Sequence, residues 1–299
     1  MEYFLNLPGT HFNKPAQWAK EMEAQGWDGI CASDHILVGT NPYPHVFVTT
    51  MAMAAATDRI LLTSSFANNL FRSPVEFAQA ALTLQEQSGG RFEAGLGAGW
   101  AEHEMRAMGL DYPVPRDRVG MYVEALAIVR DLLETGQCTF KGEYYNIDVS
   151  GEYKLGPLPD KRPPLVASAG GPRNIRESTP LVDRIEIKAS AKGTRGGNLD
   201  LPALATVTED EVKKNVDRVK SINADIPVGL FIMIGAGESP MIAGLKEQFG
   251  NGYLGNFLGH AEDVARELEN LSKIGIDRVQ LTEFAPDSQE NLRPLLIQS

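Results

Sequence analysis

The feature that most constrains this chain is a repeated alternation of short apolar runs with segments of helical periodicity. Eight such runs occur: Tyr3–Leu7, Gly29–Ala32, Arg59–Ser64, Arg91–Leu96, Leu165–Ala169, Arg184–Ala189, Val228–Ile234 and Arg278–Leu281. Strands this short, apolar at successive positions, are buried on both faces, as in a parallel sheet covered by helices. An open doubly wound sheet would carry a Gly-x-Gly-x-x-Gly turn after its first strand, but the first run here ends Asn6-Leu7-Pro8-Gly9. Count, order and the 299-residue length predict one α/β domain, 1–299, folded as a (β/α)8 TIM barrel with loop and hairpin insertions. The hairpin is expected over Thr139–Ile147, and looped insertions near 190–207 and 250–259.

Local signals agree with the alternation. Ser73 before Pro74 is an N-cap followed by a first-turn proline, and Gly89-Gly90 stops the helix predicted over Pro74–Gln87. Thr208 with Glu211 spells a capping box. Trp18 and Met22 fall four apart on one face of a helix over Pro15–Gln25. A polar loop, Gly39–Pro44, follows the second strand.

Composition narrows the partners. Asp plus Glu number 39 against 28 Lys plus Arg, a net charge of −11. A nucleic-acid or anionic-membrane surface needs clustered positive charge and is not expected, whereas a local basic pocket for one phosphate is compatible. No run reaches the roughly 18 apolar residues of a membrane-spanning helix, and MEYFLNLPGTHF lacks the basic and apolar regions of a signal peptide. Cys31 and Cys138 match no zinc or Cys-x-x-Cys spacing and read as reduced thiols of a cytoplasmic protein. His11, His35, His45, His103 and His260 form no His-Glu-x-x-His pair, so no metal is expected.

In such a barrel the chemistry lies at the C-terminal strand ends. Those ends offer Asn6; Ser33, Asp34 and His35; Ser64 and Ser65; Gly97, Gly99, Glu102 and His103; Ser168, Gly170 and Gly171; Lys188 and Ser190; Thr282 and Glu283. Asp34-His35 places a carboxylate beside an imidazole, as acid–base work near neutral pH requires. A capping aspartate next to a hydrogen-bonded loop histidine would look the same. Gly97-x-Gly99 and Gly170-Gly171 each precede a helix, where free N–H groups suit a phosphate or a ring edge; a tight turn would use the same glycines. Trp100, Tyr144 and Tyr145 read as packing residues, and Glu21, Glu23, Glu102 and Glu104 as solvated helix faces.

The stretch Ser88-Gly89-Gly90-Arg91-Phe92-Glu93-Ala94-Gly95-Leu96-Gly97-Ala98-Gly99-Trp100, with Ser33-Asp34-His35, Arg72-Ser73-Pro74 and Ala169-Gly170-Gly171-Pro172, resembles the bacterial-luciferase-like flavin and deazaflavin oxidoreductases. The likeness is strong over residues 1–175 and looser beyond. Ser-Asp-His and Gly-Ala-Gly-Trp resemble the branch that uses the deazaflavin coenzyme F420. The resemblance implies a homodimeric oxidoreductase moving a hydride between F420 and a small organic substrate. The alternative it leaves is an FMN-dependent monooxygenase served by a separate flavin reductase.

Carried onto this sequence, the resemblance makes Asp34 a cofactor-contacting carboxylate and His35 the proton donor or acceptor at the hydride-receiving carbon. Ser64-Ser65 corresponds to a strand-three bulge whose non-prolyl peptide is often cis, with Ala67 just beyond among the cofactor contacts. Ala98 and Gly99 give backbone contacts near the ring, and His103 a side-chain contact. Gly170, Gly171, Arg173 and Asn174 form the turn for the phosphate or ribityl tail, with Arg173 as countercharge. The chain also departs from its likeness. Sugar-phosphate dehydrogenases of this branch have a glutamate where Trp100 stands, and their basic set has no counterpart that can be placed. The strand-four region is also less like the methylene-tetrahydromethanopterin reductases. After residue 175 the usual small-residue helix and Ala-Asp-Gly strand give way to Glu177-Ser178-Thr179-Pro180 and Arg184-Ile185-Glu186, so no substrate pocket is assigned there.

Overall fold

The computed structural model describes residues 1–38, 41–250 and 252–297. Gly39 and Thr40 of the polar loop and Asn251 of the 250–259 insertion lie outside them. Eight strands form the expected barrel: β1 (Glu2–Asn6), β2 (Gly29–Ala32), β3 (Leu61–Ser64), β4 (Phe92–Gly97), β5 (Leu165–Ala169), β6 (Arg184–Lys188), β7 (Val228–Ala236) and β8 (Arg278–Glu283). Each pairs in parallel with the next, and β8 pairs back onto β1 with Arg278 opposite Glu2. The ring is closed, so its strands have no free edge.

The helices that matter for the site are α1 (Pro15–Gln25), α2 (Val46–Ala54), α3 (Pro74–Gln87), α4 (Glu102–Ala107), α5 (Pro115–Thr135) and α6 (Pro172–Ser178). The Ser73 hydroxyl accepts from the Val75 amide at 3.2 Å, so the predicted cap is made. Trp18 and Met22 of α1 are both buried. Two helix ends have local causes. α4 starts only at Glu102, because Gly99 takes a φ of +78° and Ala101 stays extended. α6 stops at Ser178, where Pro180 lies in a tighter turn over Thr179–Leu181; proline has no N–H to continue an α-helix. Glu23, expected on a solvated face, accepts from the amides of Asp58, Arg59 and Ile60 at 2.6–3.0 Å. It fastens α1 to the turn before β3.

The insertion after α5 is the expected hairpin, Cys138–Lys141 paired with Asn146–Val149. Glu124 on α5 accepts from the amides of Glu143, Tyr144 and Tyr145 at its tip. A side chain at Gly142 would collide with that carboxylate, 2.3 Å from the Cβ position.

Inside the barrel the floor is ionic. Arg278, only 1% exposed, pairs with Glu93 and with Glu2, the latter at 2.8 Å, and its guanidinium lies 3.8 Å from the centre of the Phe4 ring. Tyr122 of α5 donates to the Leu96 carbonyl at 2.6 Å, which ties that helix to the end of β4 and sets the turn above it. Among the described residues no helix is long and apolar enough to cross a membrane. Cys31 and Cys138 are both free and buried.

Candidate active site

Above the ionic floor a cavity of about 920 Å³ opens at the C-terminal ends of the strands. This is a volume suited to a sizeable small molecule. Asp34, His35, Ser65, Ala98, Gly99, Gly170, Gly171, Arg173 and Asn174 all line it. Ser64, Ala67 and His103 do not. The Ser64 hydroxyl is turned into the β3–β4 contact and donates to the Gly95 carbonyl at 2.7 Å. Ala67 is fully buried, pairing with Leu96. His103 points to the Leu37 carbonyl, 3.3 Å from Nε2.

His35 is the best-defined group. Its Nδ1 lies 2.7 Å from Glu104 Oε2, and Glu104 Oε1 accepts from the amides of Ile36 at 2.6 Å and Leu37 at 3.1 Å. Glu104 is therefore no solvated helix face: its side chain is 0% exposed, against 17% for His35. Burial works against its charged form, but the bond and charge of His35 and the two amides outweigh burial and hold the carboxyl below its usual range. An ionised carboxylate only accepts, so Nδ1 must donate. That leaves Nε2 as an acceptor in the neutral ring and a donor in the cation. Tyr43 and Trp100 meet the imidazole edge-on, 5.4 and 5.5 Å between centroids. The ring is thus oriented by a carboxylate and clamped by two aromatics.

Asp34 stands beside His35 in sequence but serves a different partner. Its carboxylate accepts the Asn68 amide at 2.6 Å and both terminal nitrogens of Arg72, one of them at 3.1 Å. Arg72 also lies over the Phe47 ring. Both carboxylate oxygens are engaged, so Asp34 holds the end of β2 to the β3–α3 connection. Breaking such a buried pair typically costs about 3–5 kcal/mol. The non-prolyl cis peptide is Ser65-Phe66, one bond beyond the position the resemblance indicated. Ser65 and Phe66 line the cavity, and the Ser65 hydroxyl donates to Gln280.

The glycine turns have separate reasons. At Gly99 any side chain would start 2.4 Å from Asn68 Oδ1, on a backbone already at positive φ. At Gly95 the Cβ position falls 2.0 Å from the Ser64 carbonyl, and β3 and β4 approach that closely only without it. On the β5 side, Arg173 lines the cavity but is already engaged within the chain. Its guanidinium is held by Glu177 at 3.0 Å, one helical turn on, and donates to the Arg116 carbonyl. Asn174 faces inward, donating to the Ser168 carbonyl and accepting from Ser178.

Sequence reasoning assigned no role to several residues of this mouth. Arg116 and Arg195 are exposed at its rim and Arg118 is buried below them, while Lys188, Phe231, Met233 and Phe284 line the far wall. In the structure Glu104 lies between buried Ala101 and Met105, on the face of α4 that turns inward. Among the described residues no group of three or more His, Cys, Asp and Glu side chains could hold a metal ion.

The family profile described as luciferase-like monooxygenase matches residues 5–192. The F420-dependent glucose-6-phosphate dehydrogenase of Kineococcus radiotolerans is 34% identical over 167 residues, 53% of this chain and 47% of that one. This chain thus spans about half the length of that relative. The 5,10-methylenetetrahydromethanopterin reductase of Archaeoglobus fulgidus is 24% identical, covering 96% of this chain and 95% of the reductase. A solved F420-dependent secondary alcohol dehydrogenase, in complex with an F420-acetone adduct, shares the fold over the full length of both chains, with a TM-score of 0.75 at 20% identity. With well over half of its residues inside the matched profile, the chain belongs to the luciferase-like monooxygenase family.

Proposed function

We propose that the protein is an F420-dependent oxidoreductase that passes a hydride between the deazaflavin and a small organic substrate. The observation that carries this reading is the cavity-facing His35, oriented through Nδ1 by buried Glu104. The relatives named above for F420 dependence support it. The cavity fits the coenzyme chemically. A flat ring finds the Ser65-Phe66 peptide and the Gly97–Trp100 backbone, and an acidic tail finds the rim arginines Arg116 and Arg195.

When bound, F420 supplies a two-electron hydride carrier. The chain's own residues supply position and a proton. His35 Nε2 gives or takes the proton at the substrate, and Glu104 keeps the ring in the tautomer that leaves Nε2 free for it. Asp34 with Arg72 keeps the β2 loop from drifting, which matters because small misplacements cost rate steeply. The test is an anaerobic titration of the purified protein with F420 and, separately, FMN, followed by absorbance and fluorescence. Saturable F420 binding at micromolar concentration is expected. Tight FMN binding without F420 binding overturns the reading in favour of an FMN-dependent monooxygenase.

A further inference from the structure

The wall opposite His35 contains a group that acid–base and cofactor roles do not use. Along β6 the side chains alternate. Ile185 and Ile187 are buried against the helices, while Glu186 and Lys188 point inside the barrel. Glu186 is turned down toward the floor, 3.7 Å from Arg278. Lys188 is one layer higher, in the cavity, with its Nζ 5.3 Å from the centre of the ring of Phe231, its register partner on β7. Burial pushes the Lys188 ammonium down to about 8, and no neighbouring carboxylate opposes it.

The other cations of the cavity are engaged or peripheral. Arg118 donates to the carbonyls of Pro113 and Arg195 and stacks 4.4 Å from the Tyr112 ring. Arg173 is paired with Glu177. Arg116 and Arg195 are exposed at the rim. Among the described residues, Lys188 is the inward-facing cation at the cavity with neither an anion nor a hydrogen-bond acceptor, whereas Arg118, also without an anion, is spent on two carbonyls.

We propose that Lys188 is a specificity-determining residue whose ammonium receives a carboxylate on the substrate, so that the enzyme takes organic monoanions with an apolar body. Lys188 is half-buried, its ammonium faces a largely apolar wall with no partner from the chain, and a ligand carboxylate supplies that partner through a charge-assisted hydrogen bond. One ammonium suits one carboxylate. The surrounding wall of Phe231, Met233, Leu254 and Phe284 offers apolar contact to the rest of the ligand and no further donors for a phosphate. The geometry also gives the arrangement a direction. β6 is four strands from β2 around the closed ring of eight, so a substrate anchored at Lys188 presents its far end toward His35.

The inference rests on the proposed function for the word substrate, but its test needs no cofactor. Benzoate and its neutral counterpart benzamide are titrated calorimetrically into the full chain, into Lys188→Met and into Lys188→Arg. Benzoate is expected to bind the natural protein about tenfold or more tighter than benzamide. The preference should vanish in Lys188→Met, survive in Lys188→Arg, and fade as pH rises through about 8. Equal binding of the two probes, no saturable benzoate binding at millimolar concentration, or a preference retained in Lys188→Met overturns the proposal. A large loss of F420 affinity in Lys188→Met without any benzoate preference also overturns it and assigns the ammonium to the cofactor. If the natural protein binds no F420 at all, the functional reading fails, and the benzoate comparison still decides the role of Lys188.

Discussion

The two sides of the barrel mouth follow opposite plans. On the β2–β4 side the polar side chains at the cavity are held by other protein groups: Asp34 by Arg72 and the Asn68 amide, His35 by Glu104, Ser65 by Gln280. On the β6–β8 side the wall is mostly apolar, Phe231, Met233, Leu254 and Phe284, with Lys188 as its unpaired charge. A side whose groups are already satisfied has a fixed geometry and suits a constant partner. A side with an unsatisfied ammonium beside an apolar wall suits the molecule that differs from one enzyme to the next. The family profile ends just past β6, so it covers the fixed side whole and little of the other.

The strongest way to break this contrast is at His35. His35→Ala is expected to slow the chemical step by about 10²–10⁴-fold while leaving F420 affinity within a few-fold. Single-turnover oxidation of reduced F420, with any acceptor the natural protein reduces, measures the first, and a titration measures the second. A loss confined to affinity would show that the fixed side only binds.

The same contrast explains which parts were legible in sequence. The stretch from Gly89 to Trp100 could be recognised because its glycines are each required by the backbone. Gly89 and Gly90 end α3 at positive φ, Gly95 admits the Ser64 carbonyl and Gly99 admits Asn68. Barrel, hairpin and caps followed from periodicity and turn chemistry alone. Partnerships at long range did not. Asp34 and Arg72 are 38 residues apart and His35 and Glu104 are 69 apart, and nothing in either neighbourhood states the pairing. Glu104 therefore reads in sequence as a solvated position, although its side chain is fully buried. Lys188 was visible as a strand-end residue, but an unpaired charge is defined by what surrounds it, and that is known only in three dimensions.

Glu186 sharpens the comparison one layer below Lys188. Both carboxylate oxygens are buried without a hydrogen-bond partner. Burial raises the carboxyl to about 7, against the pull of Arg278 and Arg184. A carboxyl raised on folding keeps its proton longer in the folded chain, so this group weakens the fold as pH climbs from its unfolded value near 4.5 to about 7 and adds no further change above that. Glu186→Gln is therefore expected to be more stable than the natural protein at pH 8, by on the order of 2 kcal/mol. The advantage should shrink toward pH 5. Urea denaturation at both pH values checks it, and a variant equally destabilised at both would show that the carboxylate is held by the floor after all.

The smallest expected effect lies at Arg173, on the β5 turn between the two sides. Its guanidinium is already committed to Glu177 and the Arg116 carbonyl, and its side chain is 43% exposed. An exposed pair one helical turn apart contributes about 0.3–0.5 kcal/mol, so Arg173→Ala should barely change stability. If the tail of the coenzyme is received by Arg116 and Arg195, F420 affinity in the variant should also stay within about twofold of the natural protein, in keeping with so weak a pair. A tenfold loss, weakening with added salt, would mean that Arg173 leaves Glu177 to meet the tail. The turn would then belong with the open side of the mouth, whose charges wait for a ligand, and the boundary between the two plans would move from β6 back to β5.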